Sequence, residues 1–170
     1  IGNITEQRAN AVVNSANSTL LAGSGVSGAI HKAAGPQLEA ACRKIGSCEV
    51  GQSVFTPAFG LKPKTGADFV IHTVGPRFGD GSRDEARLLR SAYRSIVSVC
   101  VQLNLGTITI PSISTGIYRY PLREAAEIAI STLAECSKTK RNYVFVCFDQ
   151  TTFEAYQSAI TSNPAVLRGE

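Results

Sequence analysis

The sequence predicts an α/β domain in which a mostly parallel sheet carries helices on both faces. Three observations lead there. Short apolar runs alternate with amphipathic helical segments along the chain, the order in which strand–helix–strand crossovers build a parallel sheet. One run, "DFVIHTV" at 68–74, is almost continuously apolar, as in a strand buried on both faces. No internal repeat, low-complexity tract or Pro/Gly-rich linker divides the 170 residues, which suffice for one domain with one well-buried core.

The elements follow in order. "AVVN" (11–14) is an apolar run ending in a polar cluster and reads as the first strand. "GVSGAIHKAAG" (25–35) reads as a helix stopped by Gly35-Pro36, and a second helix, Gln37 to Ile45, has that proline at its start. "QSVFTPAF" and "DFVIHTV" are the next strands. From Arg83 to Leu103, apolar residues at 89, 92, 93, 96, 100 and 103 mark one face of a long helix. Arg83, Arg87, Arg90 and Arg94 form a stripe largely away from that face, read as a solvated surface paired in part with Asp84 and Glu85 or as a patch facing a polyanion. "GTITIPSIS" is a buried strand feeding a loop, "LREAAEIAISTLAEC" a helix, "NYVFVCF" the last strand and "TTFEAYQSAI" the closing helix.

Composition narrows the function classes. A hydrophobic content of 44% with 18% charged residues fits an ordinary soluble globule. The net charge of +4 is too small to imply nucleic acid by itself. No apolar run approaches the roughly 20 residues of a membrane span and no cleavable signal opens the chain, so a soluble, monomeric, cytoplasmic protein is expected. The 5 cysteines (42, 48, 100, 136 and 147) contain no C-x-x-C, and only His31 and His72 could join them. Neither a metal nor a cofactor is expected; thiols within apolar patterns read as small buried hydrophobes in a reducing compartment.

In a sheet of this kind ligands sit at the carboxyl ends of the strands, and four loops there are chemically unusual. The first, "VNSANSTLLAGSGVSG", holds Asn14 and Asn17, whose amides suit sugar hydroxyls or loop backbone. Its Gly23, Gly25 and Gly28 spell G-x-G-x-x-G, the fingerprint of a dinucleotide-binding turn. The context does not support a nicotinamide fold, because eight residues separate strand from first glycine and no acidic residue ends a second strand where a ribose would need it. No Gly-Lys-Ser/Thr follows, which argues against a nucleoside triphosphate. Glycines ahead of a helix N-terminus still make an anion site. The second loop, "PSISTGIYRYP", presents Ser114, Thr115 and Gly116, then Tyr118. The third is "HTVGPRFGDG", and in the fourth, "VCFDQ", Phe148 and Asp149 end the last strand, where Phe148 could stack on a base. A diphosphate with a base at one end and a sugar at the other satisfies all four.

These residues resemble the macro domain family. "GNIT", "VNSAN", "GSGVSGAIHKAAG", "CEVGQ", "VIHTVGP", "ISTGIYRYP" and "VCFD" occur in the family's order and spacing over nearly the whole chain. The resemblance implies a three-layer α/β/α fold with a mostly parallel mixed sheet, and a module that binds ADP-ribose. It is to the hydrolytic class that includes bacterial O-acetyl-ADP-ribose deacetylases, animal mono-ADP-ribosylhydrolases and viral replicase macro domains, the last acting in the host-cell cytoplasm. It implies adenine read and flanked by Asn3 and Ile4, with Phe148 at the adenine and proximal ribose; Asp149 is grouped with the ligand residues. The diphosphate would be clamped between Gly23, Ser24, Gly25 and Val26 on one side and Ser114, Thr115, Gly116 and Ile117 on the other. Asn14 is grouped with the ligand residues. Asn17, Ser27 and Tyr118 would surround the distal ribose and a reacting water.

The chain departs from the family at three places. Asn3 stands where the family has Asp, whose carboxylate accepts from the adenine amino group with charge assistance. Ser27 stands where many hydrolases carry Asp, and serine is no general base without a partner. The family's strand ahead of "GNIT" has no counterpart, so either a trimmed chain or a sheet one strand short is expected. The readings are a hydrolase of protein-linked mono-ADP-ribose or acetyl ester, a non-catalytic ADP-ribose reader, and a binder of poly-ADP-ribose or RNA through the arginine stripe.

Overall fold

The computed structural model describes residues 1–81, 83–136 and 140–167. Its elements are a 3₁₀ turn (Ile4–Glu6), β1 (Ala11–Ala16), α1 (Gly25–Ala34), α2 (Pro36–Ile45), β2 (Ser53–Pro57), a 3₁₀ turn (Phe59–Leu61), α3 (Lys62–Thr65), β3 (Phe69–Val74), α4 (Glu85–Gln102), β4 (Thr107–Ile110), α5 (Leu122–Cys136), β5 (Asn142–Phe145), α6 (Gln150–Thr161) and α7 (Pro164–Leu167). The sheet order is β2-β3-β1-β4-β5. Only β2 runs antiparallel, against β3; the other pairings are parallel.

Alternation along each strand divides the core into two layers. Ala11 and Val13 of β1, Ile71 of β3 and Ile108 and Ile110 of β4 face Leu89, Tyr93 and Ile96 of α4 and the alanines 125, 126 and 129 of α5. Val12 and Ala16 of β1 and Val70 and Val74 of β3 face Ile30 and Ala34 of α1 and Leu38 and Cys42 of α2. The result is an α/β/α sandwich with a mixed, mostly parallel sheet. Among the described residues no helix is long and apolar enough to cross a membrane.

Three expectations need correction. The long helix begins at Glu85, not Arg83: Arg83 has φ +56°, and Asp84 stands ahead of the first turn with its carboxylate 2.8 Å from Arg87. The stripe therefore keeps three arginines on the helix. Arg94 lies 3.6 Å from Glu135, and Arg90 lines a groove with Glu124 and Glu127, so carboxylates accompany all three. The last strand stops at Phe145, and although Val146 N–H still donates to Ile110 O, Phe148 and Asp149 lie beyond it, Asp149 as the cap of α6. Finally, α3 and α7 have no counterpart among the predicted elements; each is a single turn of four residues, too short for a periodic pattern.

Candidate functional site

Parallel β1 and β4 are neighbours, so the loops that leave their carboxyl ends are neighbours too. Between them lies a cavity of about 230 Å³ lined by Ser15, Ala16, Asn17, Gly23, Ser24, Gly25, Val26 and Ser27 from the first loop and α1, and by Ser112, Ser114, Gly116, Ile117 and Tyr118 from the second. Ten of the sequence-predicted residues thus meet in one place. None of the lining side chains is charged. The electrostatics come instead from the start of α1, whose first N–H groups have no intrahelical partner and whose dipole favours an anion.

The first loop is held from inside. Asn17 donates through Nδ2 to Leu21 O at 3.1 Å and accepts at Oδ1 from Thr19 Oγ1 at 2.8 Å, bridging its own turn. A side chain at Gly23 would point at Asn17 and Ser27: its Cβ would sit 3.8 Å from Asn17 Nδ2 and 4.0 Å from Ser27 Oγ. Asn17, Gly23 and Ser27 therefore share one corner. At Gly28 a Cβ would meet Gly23 O at 2.5 Å, so only glycine lets α1 lie this close beneath the loop.

The second loop is braced from three directions. Ser114 has φ +67°, a strained conformation for a residue with a side chain, costing of order 1–3 kcal/mol. Gly75, just after β3, packs so closely that a Cβ there would overlap Ser114 Oγ. Thr115 Oγ1 turns inward to Ser112, donating to its carbonyl and hydroxyl oxygens at 3.1 and 2.8 Å. The guanidinium of Arg77 sits 4.8 Å above the Tyr118 ring, and Phe78 N–H donates to Tyr118 O at 2.9 Å, so the third loop clasps the second. Arg77, Gly75, Ser15, Ala16 and Ser112 were missed by sequence reasoning; for Gly75 the Gly-Pro turn in "HTVGPRFGDG" was the one signal.

Two hydroxyls stand out in the cavity wall. Ser27 is 6% exposed and Ser114 3%, and neither Oγ has a hydrogen-bond partner among the described residues. Buried polar atoms are normally paired, so both are available to something that enters the cavity.

The remaining predicted residues lie elsewhere. Asn14 is a correction: it is fully buried and faces His72 across the sheet, Nδ2 to Nδ1 at 3.2 Å, so its side chain belongs to the core and not to the cavity wall. Asn3, Ile4, Phe148 and Asp149 are not among the residues that line the cavity. Gly2 N–H donates to Cys147 O at 2.9 Å, which brings Asn3 beside Phe148, a ring 87% exposed. Ile4 is buried against the α1 layer. Asp149 accepts at Oδ1 from Thr152 N–H at 2.8 Å, capping α6, and that bond holds its carboxyl below the usual carboxylate range.

A hydroxyl- and glycine-lined cavity at the switch between parallel strands, closed by a helix N-terminus, defines an α/β/α module for a phosphorylated ligand. The chain belongs to the macro domain family, whose model matches residues 13–129. It is 45% identical over 162 residues to O-acetyl-ADP-ribose deacetylase 1 of Pantoea vagans, covering 91% of this chain and 92% of that one. It is 44% identical over 162 residues to a macro domain-containing protein of Chlorobaculum tepidum, covering 94% and 92%. In structure it is similar to the Oceanobacillus iheyensis macrodomain with ADP, with a TM-score of 0.88 at 36% identity over 95% of this chain and 87% of that one.

Proposed function

We propose that the cavity binds ADP-ribose and that the protein is a hydrolase, removing mono-ADP-ribose from modified acidic side chains of proteins or the acetyl group from O-acetyl-ADP-ribose. The observation that carries this reading is the pair of buried, unpartnered hydroxyls, Ser27 and Ser114, in an uncharged cavity at the start of α1. Uncharged hydroxyl and N–H donors around an anion match a diphosphate. Gly23, Ser24, Gly25 and Val26 would hold it from one side, and Ser114, Thr115, Gly116 and Ile117 from the other. The base would lie on Phe148 between Asn3, Ile4 and Asp149. The names of the relatives and the ADP-bound neighbour support the same ligand class.

Asn17, in the corner with Gly23 and Ser27, would fix a hydroxyl of the distal ribose, with Tyr118 packed beside that sugar. Water held between ribose and diphosphate then takes one of two courses. It attacks the anomeric carbon, forming its C–OH bond as the bond to the side-chain carboxylate breaks, the carboxylate leaving with the water's proton. Or it attacks the carbonyl carbon of the acetyl ester, breaking the acyl–oxygen bond so that the ribose oxygen leaves as a hydroxyl and acetate is released. Ser27 supplies no base, so the rate rests on positioning, which is able to supply several orders of magnitude. A non-catalytic reader is the competing interpretation, motivated by Ser27 itself. The arginine stripe gains no support as a site for poly-ADP-ribose or RNA, because carboxylates accompany Arg87, Arg90 and Arg94.

The deciding experiment incubates the protein with a glutamate-linked mono-ADP-ribosylated substrate. Label release well above that of Asn17→Ala supports the hydrolase; release no faster than the variant's, with ADP-ribose still bound, leaves the reader. A second expectation concerns the strained serine. Ser114→Gly removes the left-handed strain together with the hydroxyl, so thermal unfolding should stay level or rise by up to about 1 kcal/mol, while ADP-ribose affinity falls severalfold. A destabilised variant with unchanged affinity would contradict both halves.

A further inference from the structure

The cavity wall is uncharged, yet a charge stands at its rim. The guanidinium of Arg77, in the loop after β3, lies 4.8 Å from the centre of the Tyr118 ring, and Tyr118 lines the cavity while Arg77 does not. The cation is therefore one side chain removed from the wall, at the edge of the space a ligand in the cavity would fill. It is also held there. Phe78 N–H, one residue on, donates to Tyr118 O at 2.9 Å, and the Phe78 ring packs edge-on against Tyr120 at 5.1 Å, so the loop is tied to the second loop on either side of this contact. Arg43, Lys62, Arg87 and Arg94 each have a carboxylate within ion-pair distance. Among the described residues neither Arg77 nor Arg119, the residue after Tyr118, has one, and both are exposed.

An aromatic face attracts a guanidinium but accepts little from its N–H groups, so the fork of donors remains available, and that fork matches a carboxylate. On the reading that the cavity holds ADP-ribose with its distal ribose beside Tyr118, a polypeptide carrying that ribose leaves the cavity at this rim. We propose that Arg77, with Arg119 adding like charge next to it, is a specificity-determining residue that reads the polypeptide around the modification: the protein takes ADP-ribose attached within acidic segments in preference to basic ones. Arg77 touches none of the reacting atoms in this role; it pairs with carboxylates of neighbouring residues in the modified chain.

The test is titration of ADP-ribose and of two ADP-ribosylated peptides into the full chain, Arg77→Gln and Arg77→Glu. Each peptide carries a single ADP-ribose on a central residue through a hydrolysis-resistant linkage, one flanked by glutamates and the other by lysines. The wild-type protein should bind the acidic peptide about fivefold more tightly than the basic one, the scale of one or two exposed charge pairs. The difference should shrink in about 1 M salt, where the screening length is about 3 Å. Arg77→Gln, which keeps a planar group for the Tyr118 ring, should lose most of the preference, and Arg77→Glu should abolish or reverse it. The preference is a ratio within one protein, so a change in Tyr118 packing that acts on both peptides alike divides out. ADP-ribose bound by a wild-type protein that has no preference, or whose preference survives both substitutions, overturns the inference and leaves the ADP-ribose reading standing. Absence of ADP-ribose binding by the wild-type protein overturns both.

Discussion

Asn17→Ala is expected to slow release of glutamate-linked ADP-ribose by two to three orders of magnitude and to weaken ADP-ribose binding by less than tenfold. The asymmetry follows from where the amide sits. Its contacts to Leu21 O and Thr19 Oγ1 occupy one donor and one acceptor position, leaving a second N–H and a second lone pair for the corner it shares with Gly23 and Ser27. Removing one preorganised polar group beside a reacting centre costs about 10²–10³ in rate, whereas most of the binding surface, at the diphosphate and the base, is untouched. The two lost loop bonds should cost about 1–2 kcal/mol of stability. Single-turnover assays with enzyme in excess, beside thermal melts, separate the effects. Equal loss in rate and affinity would mean that Asn17 acts only by shaping the loop.

Acid is expected to unfold this protein earlier than its surface carboxylates alone would require. His72 is fully buried. Asn14 Nδ2 donates to its Nδ1, so its proton sits on Nε2, 3.0 Å from Thr56 Oγ1, and the threonine hydroxyl in turn donates to Pro57 O. Protonating Nδ1 would set an N–H against the Asn14 amide donor. Burial first, and the neighbouring His31 second, hold the His72 pKa down to about 4; burial also lowers His31. With the unfolded value at 6.5, the unfolded chain binds the extra proton between these limits. Stability is therefore complete above about pH 6.5 and is lost as the pH falls to about 4, by about 3 kcal/mol from His72 alone. Urea midpoints at pH 7.5, 5.5 and 4.5 should fall accordingly. His72→Gln, which keeps a donor and an acceptor but does not titrate, should flatten the profile, and an equally steep profile in the variant would assign the acid sensitivity elsewhere.

The fold was legible wherever local chemistry and tertiary context agree. Gly35-Pro36 punctuates α1 and α2 because glycine ends one helix and proline starts the next. The apolar run of β3 is buried because it lies between β1 and β2. Legibility fails where one side chain is claimed by two elements. Arg83 fits the helical stripe in sequence, yet its left-handed backbone and the Asp84–Arg87 pair start the helix later. Asn14 and Asn17 look alike as strand-end amides, but three residues of pleat send one into the core against His72 and leave the other at the cavity. The clasp of Arg77 on Tyr118 joins residues far apart in sequence that come together only because their loops leave the same end of the sheet, and no spacing rule reveals it. The two small-residue loops were legible as walls of one cavity, because both leave the carboxyl ends of neighbouring parallel strands.

The most direct measurement of the central claim is calorimetric titration of ADP-ribose into the wild-type protein and into Gly23→Val. Gly23 does not need a positive φ, and a Cβ there meets its neighbours at ordinary contact distance, so the variant should fold with an unchanged melting temperature while its side chain fills the corner between Asn17 and Ser27. One-to-one saturable binding by the wild-type protein, weakened at least tenfold in the variant, is the expected result. Absence of saturable binding by the wild-type protein, or equal binding by both, would contradict the assignment of this cavity to ADP-ribose.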